Sequence, residues 1–417
     1  MEGNNAWLLI SSALVLFMIP GLALFYGGMV RSKNVLNMLL MNVYCALVIP
    51  VIWVVAGYSL ALNGNSDSQF IGNTDLFGLS GVDDGATLLG IAFLMTFAAI
   101  TPALISGAIA DRMKFAAWAV FVPVWSILVY CPVVFWIYGL DGDGELVGWL
   151  GARGSLDFAG GTAIHINAGV AALAMVLVLG KRKGWPREAM PPHNLPLVML
   201  GTGILWFGWF GFNAGSAFAA DDIAIQAFMN TFLAAAAGGL AWLVIERIKD
   251  GHFTTLGACS GIVAGLVAIT PAAGFVGGMA GIVFGVVAGV VCYLAIQLKY
   301  RFGYDDSLDV VGVHMVGGII GGLLIGFFAD SSIIGRTAGD FHDGVFFGGG
   351  TELLIEQALS IVVVLVYSFV VTFALAKILS AVMGIRVDEV AESGGLDQSE
   401  HAESGYSLAD LGSMQRG

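Results

Sequence analysis

Eleven stretches of about 20 apolar residues, with hardly a charge inside them, decide what solvent this chain can fold in. They lie near residues 6 to 28, 35 to 62, 88 to 110, 115 to 138, 160 to 180, 195 to 217, 223 to 246, 255 to 273, 276 to 298, 310 to 329 and 354 to 384. A helix of that length crosses the ~30 Å hydrocarbon core of a bilayer. The expected fold class is therefore an all-α polytopic membrane protein with eleven transmembrane helices. Composition agrees, because 58% of residues are hydrophobic and 11% charged, against roughly 25% charged in a soluble domain. The 59 glycines are about twice the usual share and suit helices that must approach closely without a hydrophobic drive between them.

Lysine and arginine set the expected orientation, since they accumulate in cytoplasmic loops. Arg31/Lys33, Arg112/Lys114, Lys181/Arg182/Lys183/Arg187, Arg247/Lys249, Lys299/Arg301 and Lys377/Arg386 fall at alternate ends of the spans, and the opposite ends carry only Arg153 and Arg336. The N-terminus is expected outside and the C-terminus inside. Acidic residues, among them Asp67, Asp83, Asp141, Glu145 and Asp221, gather on the outer side and give cations a negative approach. The net charge of −13 argues against a nucleic-acid partner. Residues 1 to 5 lack the basic region of a signal peptide, so the first span is expected to remain. Cys45, Cys131, Cys259 and Cys292 stand singly in apolar segments, a pattern of neither a disulfide framework nor a metal site.

Two ionisable side chains interrupt the apolar pattern. His165 follows Asp157 in Asp-Phe-Ala-Gly-Gly-Thr-Ala-Ile-His, and His314 follows Asp309 in Asp-Val-Val-Gly-Val-His. A lone membrane histidine reads equally well as interhelical glue. A second one at an equivalent position favours a pore-lining pair. The equivalence comes from a faint repeat, Ala-Ile-Thr-Pro-Ala, at 99 to 103 in the third span and 268 to 272 in the eighth. An offset of five spans reverses the second copy, so two five-helix halves form an inverted pair with the eleventh helix outside the symmetry. Counted from the two acids, each histidine lies on the order of 8 to 12 Å into its helix, from opposite sides. No third ligand accompanies them, so a metal is not expected.

Longer stretches carry a resemblance that covers the chain to about Tyr406. They are residues 157 to 169, Gly208-Trp-Phe-Gly-Phe-Asn-Ala-Gly-Ser216, Leu256-Gly-Ala-Cys-Ser-Gly261 with Gly265-Leu-Val-Ala-Ile-Thr-Pro271, and residues 309 to 314. The sequence resembles the ammonium transporter family (Amt/Mep/Rh), closest to its bacterial and archaeal Amt branch. The resemblance implies a homotrimer with one pore per subunit, ammonium or ammonia (with methylammonium) as substrate, no enzymatic activity and no cofactor. It assigns pore histidines to His165 and His314, gate phenylalanines to Phe97 and Phe212, and a cation-recruiting hydroxyl to Ser216. Phe93, one turn before Phe97, shares its face. Where the family has a tryptophan, this chain reads Trp136-Ile-Tyr-Gly139, so Tyr138 is expected to complete the recruitment site, with Trp136 and Trp149 as alternatives. Asp157 supports the cation electrostatically or caps the start of span five.

The expected division is an eleven-helix transporter unit over 1–384, with halves near 6–180 and 195–329 and the eleventh helix near 354–384, and a cytoplasmic tail over 385–417. The resemblance makes that tail a docking element for cytoplasmic loops and for a PII-type nitrogen regulator. Its acids are expected to pair with Lys181, Arg182 and Lys183 in exposed contacts worth about 0 to 1 kcal/mol each. The protein is expected in the plasma (inner) membrane, taking up nitrogen. An ammonium sensor and an Rh-type gas channel are the rival readings. The first would show an appended signalling domain or a missing pore histidine, and the second has no need of a cation-binding step.

Overall fold

The computed structural model of the chain describes residues 2–406 except 66 and 69. Helices follow one another as α1 (Glu2–Met29), α2 (Ser32–Leu62), α3 (Gly85–Ser106), α4 (Phe115–Tyr138), α5 (Gly161–Leu179), α6 (Leu195–Gly215), α7 (Asp222–Asp250), α8 (Thr255–Ile269), α9 (Ala280–Phe302), α10 (Val311–Phe328) and α11 (Glu352–Val382). Ten are long and apolar enough to cross a membrane, and α8 is apolar but shorter. Among the described residues β structure amounts to three isolated bridges, so the all-helical expectation describes the chain.

The eighth span ends earlier than its apolar run to residue 273 suggests. Pro271 has no N–H to continue a helix, and Ala272 and Phe275 close tight turns onto Ile269 and Ala272 at 2.9 and 2.8 Å. In the sister motif Pro102 lies inside α3, which runs on to Ser106. One proline pattern thus ends a helix in one place and is absorbed in another. Pro50 and Pro123 are absorbed with a local widening, a π-helical turn at Trp53–Gly57 in α2 and at Ser126–Tyr130 in α4, as freed carbonyls require. Two further π turns, Gly161–Ile166 and Val311–Met315, open α5 and α10.

Glycines let backbones touch, which matters where apolar lipid gives helices little reason to associate. On α6 a Cβ at Gly201 would stand 2.4 Å from the Phe25 nitrogen of α1, and one at Gly208 would stand 2.7 Å from the Leu14 carbonyl. The second seam joins α7, α8 and α9. There a Cβ at Gly265 would lie 2.1 Å from the Ala234 carbonyl and one at Gly285 2.3 Å from the same atom. Helix starts are capped by side chains, Asp84 on Thr87 N, Asn194 on Leu197 N, Asp221 on Ala224 N and Thr254 on Gly257 N, so the orphan donors of each first turn find acceptors.

At the basic ends of the helices lie two short tail helices, α12 (Glu389–Gly394) and α13 (Leu396–His401). Their attachment differs from the expected exposed pairs. Only Lys183 with Glu389, at 3.5 Å, fits that description. Buried Asp397 accepts from Leu36 N at 3.1 Å and Asn37 N at 2.9 Å. Buried Glu392 receives Arg386 at 2.7 Å and Lys183 N at 2.6 Å. Lys181 stacks instead over Trp185, and Arg182 turns inward to Asp305. The two buried tail acids serve backbone N–H groups and the half-buried Arg386 guanidinium, and stripping a buried carboxylate of its partners costs more than losing an exposed pair. Residues 407–417 of the expected tail lie outside the described residues.

The α7/α8 seam makes a stability prediction. Gly265→Ala should cost on the order of 1 to 3 kcal/mol by overpacking, read as a lower thermal midpoint in detergent. Gly90→Ala, whose Cβ would meet only Phe218 at 3.9 Å, should hold or raise it. Equal midpoints for the two variants would refute close packing at this seam.

Candidate functional site

At the acidic end of the bundle a cavity of about 400 Å³ is lined by Phe97, Tyr138, Asp157, Ser216, Phe218 and Phe275, among others. Ser216 ends α6, and its hydroxyl donates to Phe212 O at 2.8 Å. That leaves the oxygen's lone pairs as acceptors for an N–H from the cavity. Tyr138, the last residue of α4, has a buried hydroxyl without a protein partner. Of the three aromatic candidates only Tyr138 lines the cavity. Trp136 donates to Phe70 O at 2.7 Å and packs on Tyr367, and Trp149 packs on Phe70 and Trp136.

Asp157 touches the cavity and caps α5 at once. Its carboxylate accepts from Gly160, Gly161, Thr162 and Ala163 N at 3.0, 2.7, 2.9 and 3.0 Å. Burial raises the carboxyl above its usual range, and the four donors pull against that shift. Gly160 takes φ +102°, a left-handed turn at which a Cβ would also strike Ile164. Of the two alternatives for Asp157, the geometry shows the cap, made by a carboxylate that also lines the cavity.

Beyond the cavity the rings of Phe97 and Phe212 stack with centroids 4.2 Å apart and 24° between planes. Phe93 is fully buried behind them, edge-on to Phe97 at 4.8 Å and to Phe218 at 5.4 Å, and does not line the cavity. On the far side of the stacked pair the space narrows to about 10 Å³ between His165, His314, Trp209, Phe212 and neighbouring aliphatics, room for about one water. His165 stacks on Trp209 at 5.4 Å and on His314 at 5.3 Å. The two Nδ1 atoms are 3.2 Å apart. A hydrogen bond at that distance needs one Nδ1 protonated and the other bare. His165 Nε2 has no protein partner.

The acid that caps the start of the helix bearing His314 is not Asp309. Asp306 stands eight residues before His314 as Asp157 stands eight before His165, and it accepts from Val310 N at 3.1 Å and Val311 N at 2.7 Å. Burial, with Asp309 next to it, pushes Asp306 up to about 6. Asp309 sits at φ +65° and pairs with Lys299 at 2.5 Å. The carboxylate nearer in sequence faces a lysine because the left-handed residue turns it away from the helix start. Eight-residue spacing was the available clue. Trp209 and Phe218 stand within three residues of Phe212 and Ser216 in the chain, but an aromatic residue in an apolar run has no mark of its own to single it out.

Around Asp306 the charges are nearly all matched. Asp305 holds Arg182 through two oxygens at 3.0 and 2.9 Å, and these contacts outweigh burial to keep its carboxyl below the usual range. Arg112, fully buried, donates to Asp305 O, Ser307 Oγ and Gly180 O. Burial lowers Arg112 to about 10, still protonated at neutral pH.

A family model described as Ammonium Transporter Family matches residues 6–406. An ammonium transporter of Mycobacterium tuberculosis is 51% identical over 98% of this chain and 91% of its own length. The crystal structure of Saccharomyces cerevisiae Mep2 superimposes with a TM-score of 0.84 at 37% identity, covering 94% of this chain and 88% of that one. A structure described as a Sensor Amt Protein gives 0.87 at 28% identity, covering 96% and 98%.

The two caps separate the acids experimentally. Asp306→Ala strands two buried N–H groups, a loss on the order of 1 to 3 kcal/mol. Asp309→Ala combined with Lys299→Met removes both members of a pair whose lysine is buried, a change close to neutral. Thermal unfolding in detergent should therefore rank Asp306→Ala clearly below that double variant. The reverse order would restore Asp309 as the counterpart of Asp157.

Proposed function

Because this chain belongs to the Ammonium Transporter Family, we propose that it recruits ammonium in the 400 Å³ cavity, that the ion gives its proton to water on the cavity side of the Phe97–Phe212 stack, and that ammonia passes His165 and His314 across the plasma membrane. The observation that carries this reading is the sequence of environments along one path. A cavity with hydroxyl, phenol and aromatic faces gives way to a stacked apolar barrier and then to a 10 Å³ space with two imidazoles. Ser216 accepts N–H bonds, Phe97 and Tyr138 offer ring faces, and Asp157 adds negative charge through the start of α5. A charge in the narrow space costs far more than a small neutral amine, which favours ammonia as the species that passes. The imidazoles offer it a donor and an acceptor.

Orientation and symmetry belong to the same proposal. The acidic end faces outward and the Lys/Arg-rich end inward, supported by the charge distribution. The paired caps of Asp157 and Asp306, each opening a π turn that bears a histidine, support two inverted halves. Residues 1–384 form the transporting unit, assembled as a homotrimer, and residues 385–417 a tail that receives a PII-type regulator, both as the resemblance implies. A sensor reading stands beside this one because of the likeness to a Sensor Amt Protein. Both histidines lie in one space with the Phe212 ring, and that arrangement favours conduction.

Purified protein in liposomes on a solid-supported membrane tests transport, with an internal pH dye as second readout. Ammonium jumps should give a saturable response absent from protein-free liposomes. His165→Ala and His314→Ala should insert normally but change rate or ion selectivity. Wild-type behaviour of both would remove the histidines from the pathway, and no saturable response at all would favour the sensor.

The tail is tested by truncation after Val387, since Val387 N bonds Arg112 O at 3.0 Å and Arg386 bonds Leu179 O at 3.1 Å. Removing residues 388–417 should leave a folded protein with altered basal transport and weakened capture of a PII-type protein. Full capture with unchanged transport would reduce the tail to a structural cap.

A further inference from the structure

A positive charge stands in the wall of the cavity that this reading assigns to a cation. Arg336 lines the same space as Asp157, Ser216 and Phe97. Its guanidinium carbon lies 4.9 Å over the Phe275 ring and 5.6 Å from Phe341, and Nε donates to Gly274 O at 3.1 Å. Phe275 packs edge-on against Phe341 at 5.1 Å and against Phe158, the neighbour of Asp157, at 5.5 Å. The loop is held as well. Gly335 takes φ +80°, its Cβ position is 2.8 Å from Ile223, and Arg336 N bonds Ile333 O at 3.1 Å.

That charge is not neutralised by an ion pair. Among the described residues no carboxylate oxygen lies within 4.0 Å of Arg336. The acids that act on it are Asp340 and Asp221, and both are committed elsewhere, Asp340 to Thr337 N at 2.9 Å and Asp221 to Ala224 N at 2.9 Å. Arg153, the other basic residue of this end, is by contrast clasped by Glu356 at 2.9 and 2.7 Å. Partial burial lowers the pKa of Arg336, as expected of a cation with little compensation.

We propose that Arg336 is a specificity-determining residue of the cavity, a tethered cation that weakens cation binding there and discriminates against higher valence. Repulsion grows with the product of the charges. At a separation on the order of 10 Å and an effective dielectric of about 50 it amounts to about threefold in affinity for a monovalent ion and about tenfold for a divalent one. Salt screens the effect. The guanidinium also occupies the faces of Phe275 and Phe341 that an ammonium ion could otherwise use, and so confines the substrate to the side of Ser216 and Phe97. The inference rests on the transport reading.

Arg336→Gln and Arg336→Lys in liposomes provide the test, with ammonium titrations at low and high ionic strength and with magnesium as competitor. Arg336→Gln should lower half-saturating ammonium about threefold at low salt, a difference that shrinks at high salt, and should lower the magnesium concentration for half-inhibition about tenfold. Arg336→Lys should stay near wild type. Wild-type values for Arg336→Gln would overturn the proposal, and so would an Arg336→Lys protein that shifts as much, because the cause would then be packing. If Arg336→Gln loses its native elution profile, Arg336→Met enters the same comparison. A wild-type protein without a saturable response would sink the transport reading, and calorimetric titration of the detergent-solubilised proteins with ammonium would then still separate Arg336→Gln from wild type or show them equal.

Discussion

A helix that begins inside a protein surrounded by lipid must find acceptors for its first N–H groups without help from water. Here two carboxylates meet that demand, Asp157 at the start of α5 and Asp306 at the start of α10. The placement of both histidines depends on them. Each cap fixes where its helix starts, the π turn that follows sets the rotation of the next residues, and the histidine eight positions on from each acid comes to face its counterpart. Both acids cost solvation to bury, and the backbone donors offset part of that cost. The acid that Asp157 places in the cavity wall comes with the structural role.

The aromatic residues between the cavity and the histidines form a layered wall. Phe93 supports Phe97, Phe97 stacks on Phe212, and Trp209 holds His165 from the side while its own Nε1 donates to Thr270 Oγ1 at 2.8 Å. Thr270 keeps helical φ and ψ at the end of α8, and its hydroxyl, bonded back to Leu266 O at 2.7 Å, is held where the tryptophan finds its acceptor.

How much of this was legible in the chain depends on whether a signal was local. Apolar length marked the spans, and the oddity of an ionisable residue in such company marked His165 and His314. Phe97, Phe212 and Ser216 needed the resemblance, since one phenylalanine among 27 has no distinguishing neighbourhood. Asp309 precedes His314 more closely than Asp306 does, but its left-handed backbone, which sequence proximity does not express, leaves the capping to Asp306. The tail acids were misjudged for the same kind of reason. Glu392 and Asp397 look like solvated charges in sequence, and only tertiary structure shows that they are buried against Lys183, Leu36 and Asn37.

The 3.2 Å contact between the two Nδ1 atoms carries a consequence beyond alignment. Two neutral imidazoles in that arrangement share a single hydrogen, so the rings are chemically unlike at every instant although the helices that bear them start alike. One presents a bare Nε2 and the other an Nε2–H. Passing the shared hydrogen from ring to ring exchanges those faces only if both outer nitrogens change state as well. The pair therefore has a direction, like an arrow laid along the path, and turning it round takes proton traffic at both of its ends.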